Sequence, residues 1–180
     1  MGFGSSPSPP AINIEMNVSG VILAAGKGTR MKSNIPKVLH PVSGKKLVLY
    51  ALEVIEDINT KYIVVGHEAE KVVEAVPDTL NVVIQEEQKG TGHAISILLD
   101  DKKFANDTSE YILVLPGDVP MINSNDIKNL IKKVTDSSST IGFLTSKVSN
   151  PFGYGRVIQH DRQIKIVEEK DKIRNFQPPI

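Results

Sequence analysis

The chain has 180 residues, no cysteine, and equal totals of Lys plus Arg and of Asp plus Glu, 21 each. This length suits one domain with a tail and can bury a core without a disulfide or a metal. Lack of cysteine excludes thiolate zinc sites and cysteine nucleophiles. Zero net charge and the lack of a long apolar run argue against a nucleic-acid or membrane partner. We expect a cytoplasmic protein.

The first part of the chain differs in composition from the rest. Residues 1–10 are rich in Gly, Ser and Pro, and such a stretch buries too little apolar surface to order itself. We therefore expect residues 1–17 to be a disordered tail or an extension added for expression, and residues 18–180 to form the folded body.

Short apolar runs alternate along the body with segments of helical period. The predicted strands are, in chain order, Val18–Leu23, Tyr62–Val65, Val82–Ile84, Tyr111–Leu115, Thr140–Thr145, and the pair Arg156–Ile158 and Ile164–Val167. The predicted helices are Lys46–Asn59, Ala69–Ala75, Gly92–Leu99 and one that Ser124 caps and that continues over Ile127 to Val134. Strands that are apolar throughout, separated by helices, predict an α/β fold: a mostly parallel, Rossmann-like sheet with helices on both faces.

Ligands of such sheets bind beyond the carboxyl ends of the strands. The pattern therefore predicts a site in the loops after Leu23, Val65, Ile84 and Leu115. The first loop carries Gly26 and Gly28, which allow close backbone approach, together with the cations Lys27, Arg30 and Lys37. Backbone donors combined with positive charge suit a triphosphate.

Two standard phosphate-binding fingerprints do not fit this loop. The dinucleotide pattern requires a third glycine where Met31 stands, and the P-loop requires Gly-Lys-Ser/Thr after a four-residue gap. The stretch from Leu23 to Met31 with Pro36-Lys37-Val38-Leu39 instead resembles the signature of the sugar-phosphate nucleotidyltransferases. With the following residues 40–45, it is similar to the N-terminal domain of the bacterial bifunctional N-acetylglucosamine-1-phosphate uridyltransferases.

The resemblance runs from about Val18 to Lys172 and implies roles for individual residues. Nucleotide binding is implied for Leu23, Ala24, Ala25, Gly26, Gln85, Gly90 and Thr91, with Gln85, Gly90 and Thr91 reading the uracil. The resemblance implies that Arg30 and Lys37 are catalytic residues that contact the reacting phosphates. It implies that Asp118 is a ligand of Mg²⁺, and that Gly155 and Glu168 contact the sugar phosphate. The residue types agree with these roles, because an amide offers both a donor and an acceptor to uracil and Mg²⁺ prefers carboxylate and phosphate oxygens.

The resemblance implies an enzyme that converts UTP and N-acetylglucosamine 1-phosphate to UDP-N-acetylglucosamine and pyrophosphate, for synthesis of cell-wall amino-sugar precursors. Two alternatives stay open: the same chemistry on another sugar 1-phosphate such as glucose 1-phosphate, and a nucleotide-binding module without turnover. The family's catalytic domain continues beyond the length of this chain, with further sugar contacts and a second metal ligand. We therefore expect a C-terminally incomplete nucleotidyltransferase domain that does not trimerise without the family's C-terminal β-helix domain.

Overall fold

The computed structural model describes residues 17–28, 31–33, 35–160 and 163–167. The main strands are β1 (Val18–Ala24), β4 (Lys61–Val65), β5 (Asn81–Ile84) and β6 (Tyr111–Pro116), and two short pairs are β2 (Pro41–Val42) with β3 (Lys45–Lys46) and β7 (Arg156–His160) with β8 (Gln163–Val167). The helices are a 3-10 turn at Lys37–Leu39, α1 (Leu47–Val54), α2 (Ala69–Val73), α3 (Thr91–Asp100) and α4 (Ser124–Asp136).

Strands β1, β4, β5 and β6 form a parallel sheet in the order β5-β4-β1-β6. The chain adds β4 and β5 on one side of β1 and then crosses to place β6 on the other side. The strand order therefore reverses at β1, and a crevice at the carboxyl ends of β1 and β6 is the expected place for a ligand in this type of sheet.

Helices cover both faces of this sheet. Because side chains alternate along a strand, Val21 faces one side, where it joins a core with Tyr62 and with Leu98 of α3. Gly20 faces the other side, where a Cβ would lie 2.8 Å from Ile55 Cδ1 at the end of α1. The glycine therefore lets the segment after α1 pack directly on the strand, and the predicted two-sided α/β architecture is confirmed.

Contacts divide the chain into two units after Ile127, within α4. The first unit contains the parallel sheet, and the second contains the antiparallel hairpin of β7 and β8, which the sequence also predicts. In the described part of the chain, no helix is both long enough and apolar enough to cross a bilayer.

Three details of the sequence prediction are wrong. Residues 141–148 have no regular secondary structure, and no described strand supplies the pairing that a strand at Thr140–Thr145 needs. Helix α1 stops at Val54, because the next bonds, including that of Ile55 N–H to the Leu52 carbonyl, close tighter turns. The cap of α4 is Asn123 instead of Ser124: its Oδ1 accepts the Asn125 N–H at 2.7 Å.

Candidate active site

A cleft of about 540 Å³ opens at the carboxyl edge of the parallel sheet. Its walls come from the loops that follow β1, β5 and β6, which are three of the four loops that the sequence predicts. The lining residues are Leu23, Ala25, Gly26, Lys27, Gly28, Lys37, Val38, Gln85, Gln88, Gly90, Thr91, Ala94, Pro116 and Asp118. This volume suits a small-molecule ligand.

The loop after β4 supports the cleft without lining it. A Cβ at Gly66 would lie 2.8 Å from both the Gln85 carbonyl oxygen and Gln88 Nε2, and 3.0 Å from Ala25 Cβ. The His67 N–H also donates to the Ala25 carbonyl, at 3.5 Å. A glycine at position 66 therefore brings the loops after β1 and β5 together.

The glycine loop after β1 folds back onto the 3-10 turn that carries Lys37. Gly28 has a φ of 60°, in the left-handed region, and a Cβ there would lie 2.8 Å from Lys37 Cβ. Its carbonyl accepts the Met31 N–H at 2.9 Å. The close approach and the positive φ both favour glycine, and they place Lys37 on the wall of the cleft.

Lys37 forms an ion pair with Asp118 in the cleft. Asp118 follows β6, where the Gly117 N–H donates to the Leu23 carbonyl at 2.9 Å. A Cβ at Gly117 would lie 3.1 Å from that same oxygen, so glycine allows the turn to sit close to β1. The Lys37 and Asp118 side chains are 43% and 26% exposed, so a ligand that enters the cleft can reach both.

The amide of Gln85 is buried, with the residue only 2% exposed, although Gln85 lines the cleft. Its Nε2 donates to His93 Nδ1 at 2.8 Å and to the Gly90 carbonyl at 3.3 Å. The Gly90 carbonyl also accepts the Ala94 N–H at 3.1 Å in the first turn of α3. These bonds tie the end of β5 to the start of α3.

Most of the predicted site residues meet at this cleft. Those that line it are Leu23, Ala25, Gly26, Lys37, Gln85, Gly90, Thr91 and Asp118. Ala24 is buried in β1, 1% exposed, and does not line the cleft, because its side chain faces the core as the strand alternates. Gly155 belongs to the second unit, where it is exposed and precedes β7. Arg30 and Glu168 lie outside the described residues.

Sequence reasoning assigned no functional role to two residues here, His93 and Gln88. His93 contacts Gln85, and Gln88 lines the cleft while its Nε2 donates to the backbone carbonyls of Gln85 and Glu86, each at 3.0 Å. The signal that could have indicated His93 is its place on the first turn of α3, the helix that follows Gln85.

Among the described residues that line this cleft, Asp118 supplies the one carboxylate that a metal could bind. Within the described residues, no group of three or more His, Asp or Glu side chains could hold an ion. Mg²⁺ typically takes one or two protein carboxylates and completes its shell with water and substrate phosphates. Asp118 therefore fits a metal that binds together with a phosphorylated ligand.

A second polar cluster lies at the opposite, amino end of the sheet. Ser19, fully buried, donates to Asp107 and lies 2.9 Å from the Ser109 hydroxyl, whose own N–H donates to Asp107 Oδ1 at 2.8 Å. Burial alone would raise the pKa of Asp107, but hydrogen bonds from Ser19 and Ser109 outweigh it and lower that pKa. Burial, helped by Asp107, raises the pKa of Tyr62 to about 12. These groups tie β1 to the segment before β6 and do not line the cleft.

Comparison with known proteins identifies the class. Residues 20–172 match the family described as the MobA-like NTP transferase domain, and the chain belongs to this family of nucleotidyltransferases. The glycine loop and the Asp118 turn both fall within the matched segment.

Within that class, the chain is similar to the bifunctional protein GlmU. It is 42% identical to the GlmU of Carboxydothermus hydrogenoformans and 41% identical to that of Clostridioides difficile, over 86% and 87% of this chain and 34% of each relative. GlmU of Streptococcus uberis is 43% identical over 84% of this chain and 33% of its own length. The chain thus spans about a third of the length of these relatives.

Solved structures show the same fold at lower identity. A mannose-1-phosphate geranyltransferase from Thermus thermophilus has a TM-score of 0.69 at 18% identity, covering 86% of this chain and 50% of that one. A nucleotidyl transferase from Methanothermobacter has a TM-score of 0.53 at 20% identity, covering 64% and 56%.

Proposed function

We propose that this chain binds UTP in the cleft and transfers the uridylyl group to N-acetylglucosamine 1-phosphate, releasing pyrophosphate. The observation that carries the proposal is the order of groups across the sheet edge. Gln85 follows β5, the glycine loop follows β1, and Asp118 follows β6. Strands β5 and β6 are three spacings apart, about 14 Å, a span that a nucleoside triphosphate can bridge with its base toward Gln85.

In this arrangement, the backbone of the glycine loop binds the phosphates, and the Lys37 ammonium adds positive charge beside them. An oxygen of the sugar phosphate attacks the α-phosphorus in line. The new P–O bond forms as the bond to the bridging β-phosphate oxygen breaks, and pyrophosphate leaves with the negative charge. Positioning and charge stabilisation carry the catalysis, so the mechanism requires no covalent enzyme intermediate.

Asp118 would hold the Mg²⁺ that arrives with the phosphates of UTP. When bound, the ion neutralises phosphate charge and orients the phosphates. Because Lys37 pairs with Asp118, we expect the metal to bind weakly without nucleotide. Arg30 is proposed to contact the pyrophosphate that leaves.

N-acetylglucosamine 1-phosphate is the proposed acceptor because the three sequences above that are 41–43% identical to this chain are GlmU proteins. The sequence also shares the motif His40–Lys45 with the uridyltransferases that it resembles. Gly155 and Glu168 are the proposed sugar contacts. The product would serve the synthesis of cell-wall precursors, in the cytoplasm. Glucose 1-phosphate is the alternative acceptor, and the experiment must distinguish it from N-acetylglucosamine 1-phosphate.

Calorimetry with UTP and Mg²⁺, combined with a pyrophosphate-release assay, tests the proposal. We expect UTP to bind more tightly than CTP, and release to depend on N-acetylglucosamine 1-phosphate in a panel that includes glucose 1-phosphate. Faster release with glucose 1-phosphate would change the sugar assignment. UTP binding without release on any sugar phosphate would identify a nucleotide-binding module, and no UTP binding would overturn the proposal.

A further inference from the structure

The buried amide of Gln85 is held in one orientation by its neighbours. A backbone carbonyl can only accept a hydrogen bond, so the amide atom that faces the Gly90 oxygen at 3.3 Å is the nitrogen. The same nitrogen lies 2.8 Å from His93 Nδ1. That ring nitrogen must therefore accept, which places the proton of the neutral imidazole on Nε2. Both hydrogens of the Gln85 amide are then used.

The other amide atom, Gln85 Oε1, is left to accept. Within the described residues, it has no hydrogen-bond partner, although the residue is 2% exposed and lines the cleft. A buried polar atom without a partner is costly, which points to a ligand donor. Uracil offers an N–H at position 3, whereas cytosine carries a bare acceptor nitrogen at that position.

We propose that His93 is a positioning residue for base selectivity: by accepting from Gln85 Nε2, it holds Oε1 toward the cleft as the acceptor for an imide N–H. This inference rests on the proposed function, because it explains which base the cleft selects. Without the His93 acceptor, the Gln85 amide keeps only its hydrogen bond to the Gly90 carbonyl, which is the longer of the two. That bond still favours the same orientation of the amide but holds it less firmly. The amide could then turn and donate to the acceptor nitrogen of cytosine.

Two variants separate positioning from packing. His93→Leu replaces the imidazole with an apolar side chain of similar size and removes the acceptor. His93→Asn keeps an acceptor, because Asn Oδ1 can occupy the place of imidazole Nδ1. The measurement is the ratio of the dissociation constants of CTP and UTP, by calorimetry on the full chain. A matched control is His67→Leu, since His67 does not line the cleft.

We expect His93→Leu to lower the preference for UTP over CTP by about five- to tenfold, the effect of one buried hydrogen bond. His93→Asn should keep most of that preference, and His67→Leu all of it. An unchanged ratio in His93→Leu, or equal losses in His93→Leu and His93→Asn, would overturn the inference.

A second measurement is independent of nucleotide binding. In the free protein, ¹⁵N NMR should show His93 with its proton on Nε2, and the side-chain NH₂ signals of Gln85 should shift in His93→Leu but remain close to the parent in His93→Asn. If the parent binds neither nucleotide, the proposed function is wrong, and these signals alone decide whether His93 orients Gln85. A proton on His93 Nδ1 in the free protein would overturn the orienting role.

Discussion

At the scale of single residues, the ion pair of Lys37 and Asp118 bears on two properties, the stability of the fold and the binding of a ligand in the cleft. Both side chains are partly exposed, and ion pairs of this kind contribute about 0–1 kcal/mol to stability. Their position in the cleft therefore matters more for ligand chemistry than for folding. A substitution that removes one charge should affect turnover far more than it affects the free energy of unfolding.

Asp118→Asn tests this separation. We expect turnover to fall by about 100-fold or more, because Asp118 is the proposed carboxylate ligand of the Mg²⁺ that would neutralise the phosphate charge, and an amide is a weaker ligand for that ion. The free energy of unfolding should change by less than about 1 kcal/mol. The matched control is Asp136→Asn, which breaks the Lys132–Asp136 pair on α4, outside the cleft lining. If Asp118→Asn and Asp136→Asn are equally active, Asp118 is not part of the active site.

Asp107 is a residue for which an effect of acidic pH on stability is expected. Its folded-state pKa lies below its ordinary value of 3.8, so the carboxylate contributes stability that is present above that pH and lost as the pH falls through the folded-state pKa. Asp107→Asn should lower the free energy of unfolding by about 1 kcal/mol at neutral pH, since charged hydrogen bonds become neutral.

Denaturant titrations at several pH values measure this effect. Between about pH 5 and pH 3, the parent should lose more stability than Asp107→Asn, so the two curves should approach each other. Curves that stay parallel over that interval would contradict the role given to Asp107.

At the scale of elements, the parallel strands were predictable because burial on both faces produces continuous apolar runs, as in residues 62–65. The features that the sequence did not predict correctly each have a physical cause that single-residue patterns do not contain. A strand at Thr140–Thr145 depends on a pairing partner, which periodicity does not report. The contact of Gly66 with Gln85 and Gln88 joins residues about 20 positions apart, and nothing in the spacing of single residues indicates such an approach.

A comparison of two glycine substitutions tests how the loops support the cleft. Gly66→Ala should destabilise the fold by about 1–3 kcal/mol, because the added Cβ overlaps a backbone oxygen. Gly26→Ala should leave stability nearly unchanged, since no atom of the described residues lies within 4 Å of a Cβ added there and the φ of Gly26 is not in the left-handed region. UTP binding should nevertheless weaken in Gly26→Ala, because the Cβ enters the cleft lining. Equal stability losses in thermal unfolding would contradict this division.

At the scale of the whole molecule, the two units take different parts in the proposed reaction. The residues proposed to bind the nucleotide lie in the first unit, and the proposed sugar contact Gly155 lies in the second. The sequence motifs predicted both sets through a single family resemblance, but they did not predict that the chain divides at Ile127. We therefore expect the nucleotide and the sugar phosphate to protect different segments of the chain from hydrogen exchange.

Hydrogen exchange monitored by mass spectrometry can measure which segments each ligand protects. A non-hydrolysable UTP analogue at about 100 times its dissociation constant should stabilise the bound state by about 2.7 kcal/mol and slow exchange by up to about 100-fold where opening breaks the site. We expect this protection in segments 23–28 and 85–94, and not in β7 or β8. N-acetylglucosamine 1-phosphate added to that complex should then protect the segment around Gly155, whereas free N-acetylglucosamine, which lacks the phosphate, should not. If the sugar phosphate leaves that segment unprotected, Gly155 is not a sugar contact, and a chain that also releases no pyrophosphate would be a nucleotide-binding module.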